Sequence, residues 1–351
     1  MIPHFALLLT VWLLALVAQT RRMPNATRIL LWIGIFTALT LFGGLRGNYV
    51  GADTIVYVRW FEDLSASNMI WDSFSGAELG IKSLYAVSLW IGQDPTIILL
   101  LASALVSFLY ILGISRISKN PALSLFVLIG FGFYAFHLNG MRQGLALAVY
   151  MLAIPHLLSG RFIRYAAWVG LATLFHSTAI FTLPMYFLFR QKFSVWILAA
   201  LFVLAVLFVV FLDTAVQIAG FVNERYATYG DRTETGATLL TLFHVMLSVI
   251  FVLGRPIVRR DWRDSYDKLL MMMLFGSMIY VVISITGSYV EMTRMAIYFT
   301  MAMVFLWPLL LLSVQDTKLR TAMTAGLLLA ATVFLAIFLN QIGGYIPYVL
   351  R

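Results

Sequence analysis

Four polar residues, His137, Asn139, Arg142 and Gln143, interrupt the otherwise apolar stretch FHLNGMRQGLALAVYMLAIPHLL. An arginine offers a planar, permanently charged fork that binds anionic oxygens in pairs. A histidine exchanges a proton near neutral pH. Similar residue types recur elsewhere: Arg46 and Asp53 in LRGNYVGADTIVYVRWF, His176 in LFHS, and Arg294 in VEMTRMAIYF. Ionisable groups at a membrane boundary are costly and usually face a cavity or a partner, so this set predicts a charged ligand.

The elements that carry these residues must be membrane helices. The chain of 351 residues is 62% hydrophobic and 11% charged. Its apolar runs are about 17 to 20 residues long, enough to cross a hydrocarbon core of about 30 Å. Such runs are too uniform for the alternating strands of a barrel, and lipid demands that each backbone amide be satisfied within its segment. The expected fold is therefore an all-α polytopic integral membrane protein. The spacing predicts spans at 2–20, 28–43, 95–115, 121–138 and 141–158, then a short or re-entrant pair at 163–175 and 177–189. Further spans are expected at 194–212, 238–254, 269–286, 294–313 and 321–340, about twelve crossings in all within a single transmembrane domain, 1–351. Segment 78–91 fits an outer-face or re-entrant helix, and the helix opened by Asp53 or Thr54, with Tyr57, Trp60 and Phe61 on one face, fits an outer interfacial one. The first span lacks a preceding basic residue and is followed by RRMPNATR, so it reads as retained, with its amino end outside.

Charge sets the expected orientation. The breaks holding Arg21 to Arg28, Arg116 and Lys119, Arg161 and Arg164, Arg190 and Lys192, Arg255 to Lys268, and Lys318 and Arg320 carry 16 of the 24 basic residues. Only four acids accompany them, Asp261, Asp264, Asp267 and Asp316, so these breaks read as cytoplasmic. The basic balance is then a topology signal, and nucleic acid is not expected as a partner. Loops 44–80 and 213–237 fall outside, and so do Arg46, Asp53, His137, Arg142, His176 and Arg294. In the second loop Tyr226, Tyr229 and Arg232 are of the types that stack on sugars and bond hydroxyls, although aromatic interface anchors have the same composition. Each candidate has a plainer alternative. Arg142 and Arg294 could snorkel to headgroups, Asp53 could serve as a helix cap, and His176 could simply join two short helices. His4, His156 and His244 read as structural. There is no cysteine, and no acidic or histidine cluster has ligand spacing, so neither a metal nor a cofactor is expected.

Two longer stretches carry a resemblance to a known family. LRGNYVGADTIVYVRWF and FHLNGMRQGLALAVYMLAIPHLLSGRFIRYAAWVGLATLFHSTAIFTLPMYFLF resemble the EpsG family of Wzy-type polysaccharide polymerases. The likeness lies in Gly51-Ala52-Asp53, in Met141-Arg142-Gln143 opening a helix, and in Leu174-Phe175-His176-Ser177; it runs over 41–190, with Arg294, Tyr298 and Phe299 beyond. It implies a bacterial inner-membrane glycosyltransferase that joins repeat units carried on undecaprenyl pyrophosphate at the periplasmic face. The lipid bilayer and lipid-linked glycans would be its partners, with a chain-length regulator and a flippase from the same pathway.

That chemistry fits the residues. A lipid pyrophosphate leaves readily and needs charge neutralisation more than a general acid, a role open to Arg46, Arg142 and Arg294. His176, or Asp53, would take the proton of the acceptor hydroxyl, with His137, Asn139 and Gln143 in support. Two rivals stay open: a lipid-linked oligosaccharide flippase, which would also want cations in a membrane cavity, and an O-antigen-ligase-like transferase.

Overall fold

The computed structural model describes residues 1–67, 77–222, 236–287, 293–341 and 344–351. Among them the chain is helical throughout, with no strand beyond one isolated bridge between Arg46 and Leu350. Among the described residues seven helices are long and apolar enough to cross a membrane, or eight if a bent pair counts as one span. This is a polytopic all-α membrane protein. Of the other predicted crossings, those at 2–20, 177–189 and 194–212 correspond to apolar stretches of at most 17 residues, Ile2–Ala18, Ser177–Phe189 and Val195–Phe211.

Backbone contacts divide the chain into two compact units, Met1–Leu183 with Lys318–Arg351, and Pro184–Thr317. The first begins with α1 (Ile2–Ala18), α2 (Asn25–Gly44), α3 (Thr54–Ser67), α4 (Leu79–Ile91) and α5 (Thr96–Ile117). It continues with α6 (Pro121–Gly130), α7 (Phe133–Asn139), α8 (Met141–Met151), α9 (Ile154–Leu158), α10 (Phe162–Thr173) and a 3-10 turn, Ser177–Thr182. The second holds α11 (Met185–Phe189), α12 (Val195–Val222), α13 (Gly236–Gly254), α14 (Arg263–Thr286), α15 (Thr293–Thr300) and α16 (Met303–Leu311), and α17 (Thr317–Gln341) returns to the first.

In the first unit α8 is the central element, packed by α5, α7 and α10. Close approach to α7 requires Gly144, because a Cβ there would stand 2.6 Å from the His137 Cα. The chain bends by 44° between α6 and α7, so the span ends in a short helix that delivers His137 and Asn139. In the second unit α14 is the hub, packed by α12, α13 and α15. Ser248 and Ser277 hydrogen-bond across α13 and α14 at 2.8 Å, satisfying two hydroxyls that lipid could not.

Two interfacial readings are refined. Helix α3 is amphipathic as expected, but its stripe of Tyr57, Val58, Phe61 and Leu64 is buried in protein. The Tyr85 hydroxyl of α4 donates to the Tyr57 carbonyl at 3.0 Å, and the Phe61 and Tyr85 rings lie 6.4 Å apart. The apolar face therefore meets α4 where lipid contact was expected. At 13 residues, α4 reaches only about 20 Å, too short to cross alone.

Candidate active site

Every residue of α8 is buried except Arg142, which opens the helix with its side chain 31% exposed. A helix start disfavours a cation, so this arginine needs a partner that the helix does not supply. Glu78, at the residue before α4, supplies it: Arg142 Nη1 donates to Glu78 Oε2 at 3.0 Å. The guanidinium also lies 5.8 Å from the Trp60 ring centre.

The other oxygen of Glu78 faces His176. Helix α10 stops at Thr173, His176 is extended (φ −156°, ψ 118°), and the 3-10 turn starts at Ser177. This break turns the imidazole toward α4, with Nδ1 3.2 Å from Glu78 Oε1. The Ser177 amide donates to the same oxygen at 3.2 Å, and the Gly80 amide donates to the Leu174 carbonyl at 2.6 Å. Nδ1 is buried and meets Oε1 as an ion-pair contact, without the alignment of a hydrogen bond, while the side chain as a whole is 21% exposed. Burial acts to raise the Glu78 carboxyl, but the close His176 imidazole, the backbone amides and the Arg142 charge outweigh it and hold the group at about 2. Glu78 is thus a carboxylate across the whole physiological range.

A second polar cluster gathers other candidates. Arg46 is 1% exposed. Its Nε donates to the Thr54 hydroxyl at 3.2 Å and its Nη1 to the Gly43 carbonyl, whereas Nη2 is buried without a hydrogen-bond partner. Burial lowers this guanidinium to about 10, with the hydroxyls of Tyr134, Tyr348, Tyr57 and Tyr345 acting the other way, so it stays cationic at neutral pH. The Thr54 hydroxyl also has the Val50 and Leu138 carbonyls within reach, at 2.7 and 3.0 Å. His137 is fully buried; its Nδ1 contacts the Tyr134 carbonyl and its Nε2 lies 3.3 Å from the Ser103 hydroxyl. Asn139 accepts the Asp53 amide at 3.1 Å, tying the start of α3 to the end of α7. Gly51 (φ 89°) makes the turn between Arg46 and Asp53, where a Cβ would press within 2.8 Å of the Leu138 carbonyl carbon. The carboxy-terminal segment closes the cluster. Gly47 donates to Val349 at 2.7 Å, Arg351 to Leu45 at 2.8 Å, and Tyr348 stacks on Phe42.

The structure therefore brings Arg142 and His176 together on Glu78, and gathers Arg46, Asp53, His137 and Asn139 into a knot of their own. Arg46 does not sit in an open vestibule, as expected of a phosphate clamp, because its loop is covered by α3, α7 and the carboxy-terminal segment. Gln143 is buried in α8. Arg294 is half-buried in the first turn of α15, in the second unit. Tyr226, Tyr229 and Arg232 lie outside the described residues. His4 is ringed by Phe42, Tyr345 and Tyr348, and His244 stacks on Tyr280. Sequence reasoning missed Glu78 as the partner of Arg142 and His176, and named Thr54 only as a possible helix cap. A single carboxylate placed immediately before an apolar run, on the acid-rich side, was the available signal for Glu78.

Helices long enough to span a membrane and a charged, partly accessible cluster at a helix start define a polytopic membrane protein with one candidate reaction centre. Comparison with known families identifies it further: the chain matches the EpsG family over residues 29–350, nearly its whole length, and belongs to that family. EpsG family members are Wzy-type polysaccharide polymerases, which makes this chain a polymerase of the glycosyltransferase type, acting in polysaccharide biosynthesis. No curated protein and no solved structure matches it.

Proposed function

We propose that this protein polymerises oligosaccharide repeat units carried on undecaprenyl pyrophosphate, at the periplasmic face of a bacterial inner membrane, to build a surface polysaccharide such as O-antigen, capsule or exopolysaccharide. The observation that carries this reading is the meeting of Arg142, the one accessible position of α8, with His176 at Glu78. The His176 Nε2 takes the proton of the acceptor hydroxyl while that oxygen attacks the anomeric carbon of the donor chain. The bond from that carbon to the pyrophosphate oxygen breaks, with inversion, and the lipid pyrophosphate departs with its charge offset by Arg142. One Arg142 nitrogen is engaged by Glu78, which leaves other donors of the fork for phosphate oxygens. No metal enters this scheme.

Arg294 is carried forward as a phosphate-binding candidate, Asp53 as the alternative base, and Tyr226, Tyr229 and Arg232 as glycan contacts, whereas the enclosed Arg46 serves the fold in this reading. The proposed topology of about twelve crossings puts the loops at 44–80 and 213–237 outside. The test is a reconstituted assay with purified protein and a lipid pyrophosphate-linked repeat unit, without metal or nucleotide, read on a gel that resolves glycan length. Wild type should give a ladder, and His176→Ala should leave the starting unit. Substrate that crosses the vesicle bilayer without elongation would instead mark a flippase, and transfer of a single block to another acceptor would mark a ligase.

A further inference from the structure

Glu78 has no role in the scheme above, yet it is the residue on which both active groups converge. It is 14% exposed, and its two oxygens are divided: Oε2 meets Arg142 at 3.0 Å, while Oε1 meets His176 Nδ1 and the Ser177 amide, each at 3.2 Å. An exposed ion pair of this kind would hold little in place. Here the carboxylate is mostly covered, and the backbone hydrogen bond from Gly80 to Leu174 ties its own segment to the 174–177 junction, so acceptor and imidazole belong to one rigid corner. A base whose second nitrogen is held by a carboxylate has a fixed tautomer and a fixed direction, the arrangement that makes an imidazole effective toward a hydroxyl.

We propose that Glu78 is the positioning residue of this site, holding the His176 imidazole with Nδ1 inward and Nε2 toward the acceptor. This rests on the polymerase reading of the same site. The competing physical possibility is that Glu78 occupies Arg142 in place of the donor phosphate and must be displaced. The two differ in sign. A positioning carboxylate acts on turnover, whereas a competitor weakens donor binding.

The experiment is the ladder assay on wild type, Glu78→Gln, His176→Ala and the double variant, with kcat and KM for the lipid-linked donor. Gln keeps the shape and an oxygen that can accept from the Ser177 amide, so the junction should survive; thermal unfolding of the purified variant checks this. The expected result is a kcat lowered about 100-fold, within the usual range for general acid–base assistance, with KM changed less than about twofold. The double variant should be no slower than His176→Ala alone, because Glu78 acts through His176. Unchanged kcat, a lowered KM at full kcat, or independent losses that multiply in the double variant would each overturn the proposal. Should Glu78→Gln unfold, Glu78→Asp keeps the charge and shortens the reach, and the same cycle applies to it. A dead wild type would sink the polymerase reading itself. A working wild type with a dead His176→Ala and a normal Glu78→Gln would sink only the role of Glu78.

Discussion

The two polar clusters of the first unit use similar residues for opposite ends. In the Arg46 knot the arginine is 1% exposed and its neighbours are carbonyls and hydroxyls; among the described residues no carboxylate pairs with it. In the Glu78 cluster the arginine is 31% exposed, its charge is balanced, and a histidine shares the balancing carboxylate. The knot stitches α2, α3, α7 and the carboxy-terminal segment together. The cluster presents groups whose second faces are still available. Where an arginine sits relative to water, more than its presence beside a glycine, separates a joint from a candidate reaction centre.

Arginine-to-lysine exchanges break this comparison most directly. Lysine keeps the charge and loses the fork, so Arg142→Lys should lose about 100-fold in polymer formation, or about 2.7 kcal/mol of transition-state stabilisation, with an unchanged melting temperature. Arg46→Lys should act the other way round: it strands Thr54 and Gly43, so the detergent-solubilised protein should melt at lower temperature while the folded fraction keeps its kcat. Normal melting with lost activity in Arg46→Lys would erase the distinction and put the unpartnered Nη2 in contact with substrate. Near-normal polymer from Arg142→Lys would remove Arg142 from the site. A smaller effect is expected from Thr54→Val, which removes the hydroxyl at the centre of the knot and leaves Arg46 Nε unmet. The cost should be about 1–3 kcal/mol of stability, measured as a loss of melting temperature with no change in KM.

How much of this was legible depends on range. The helical class could be read locally, from run lengths, and Arg142 and His176 could be singled out as candidates, from a polar group opening an apolar helix and from a join between helices too short to span. Glu78 could not be placed, because a carboxylate 64 residues before Arg142 reads only as the edge of an apolar segment until the fold brings the two together. The burial of Arg46 was hidden for a related reason. A charge in a glycine-rich loop looks solvated, and nothing nearby in sequence announces that residues 344–351 return to cover it. The amphipathic period of α3 was legible, but periodicity records that a face is covered, and only Tyr85 shows that protein does the covering.

The smallest expected effect sharpens the electrostatic side of the comparison. The Glu78 carboxyl is held at about 2, against 4.5 for the free group, so the folded state gains from its ionised form. Folded-state depression means that this stabilisation is fully present above about pH 4.5 and is lost as pH falls toward 2. The wild-type melting temperature should therefore drop more steeply across that window than that of Glu78→Gln, whose amide does not titrate. Arg46 should contribute nothing to the same window, because, at about 10, it stays protonated throughout it. Parallel curves for wild type and Glu78→Gln between pH 4.5 and 2 would mean that the carboxylate is not held by Arg142 and His176 in the folded protein, and the electrostatic contrast between the two clusters would go with it.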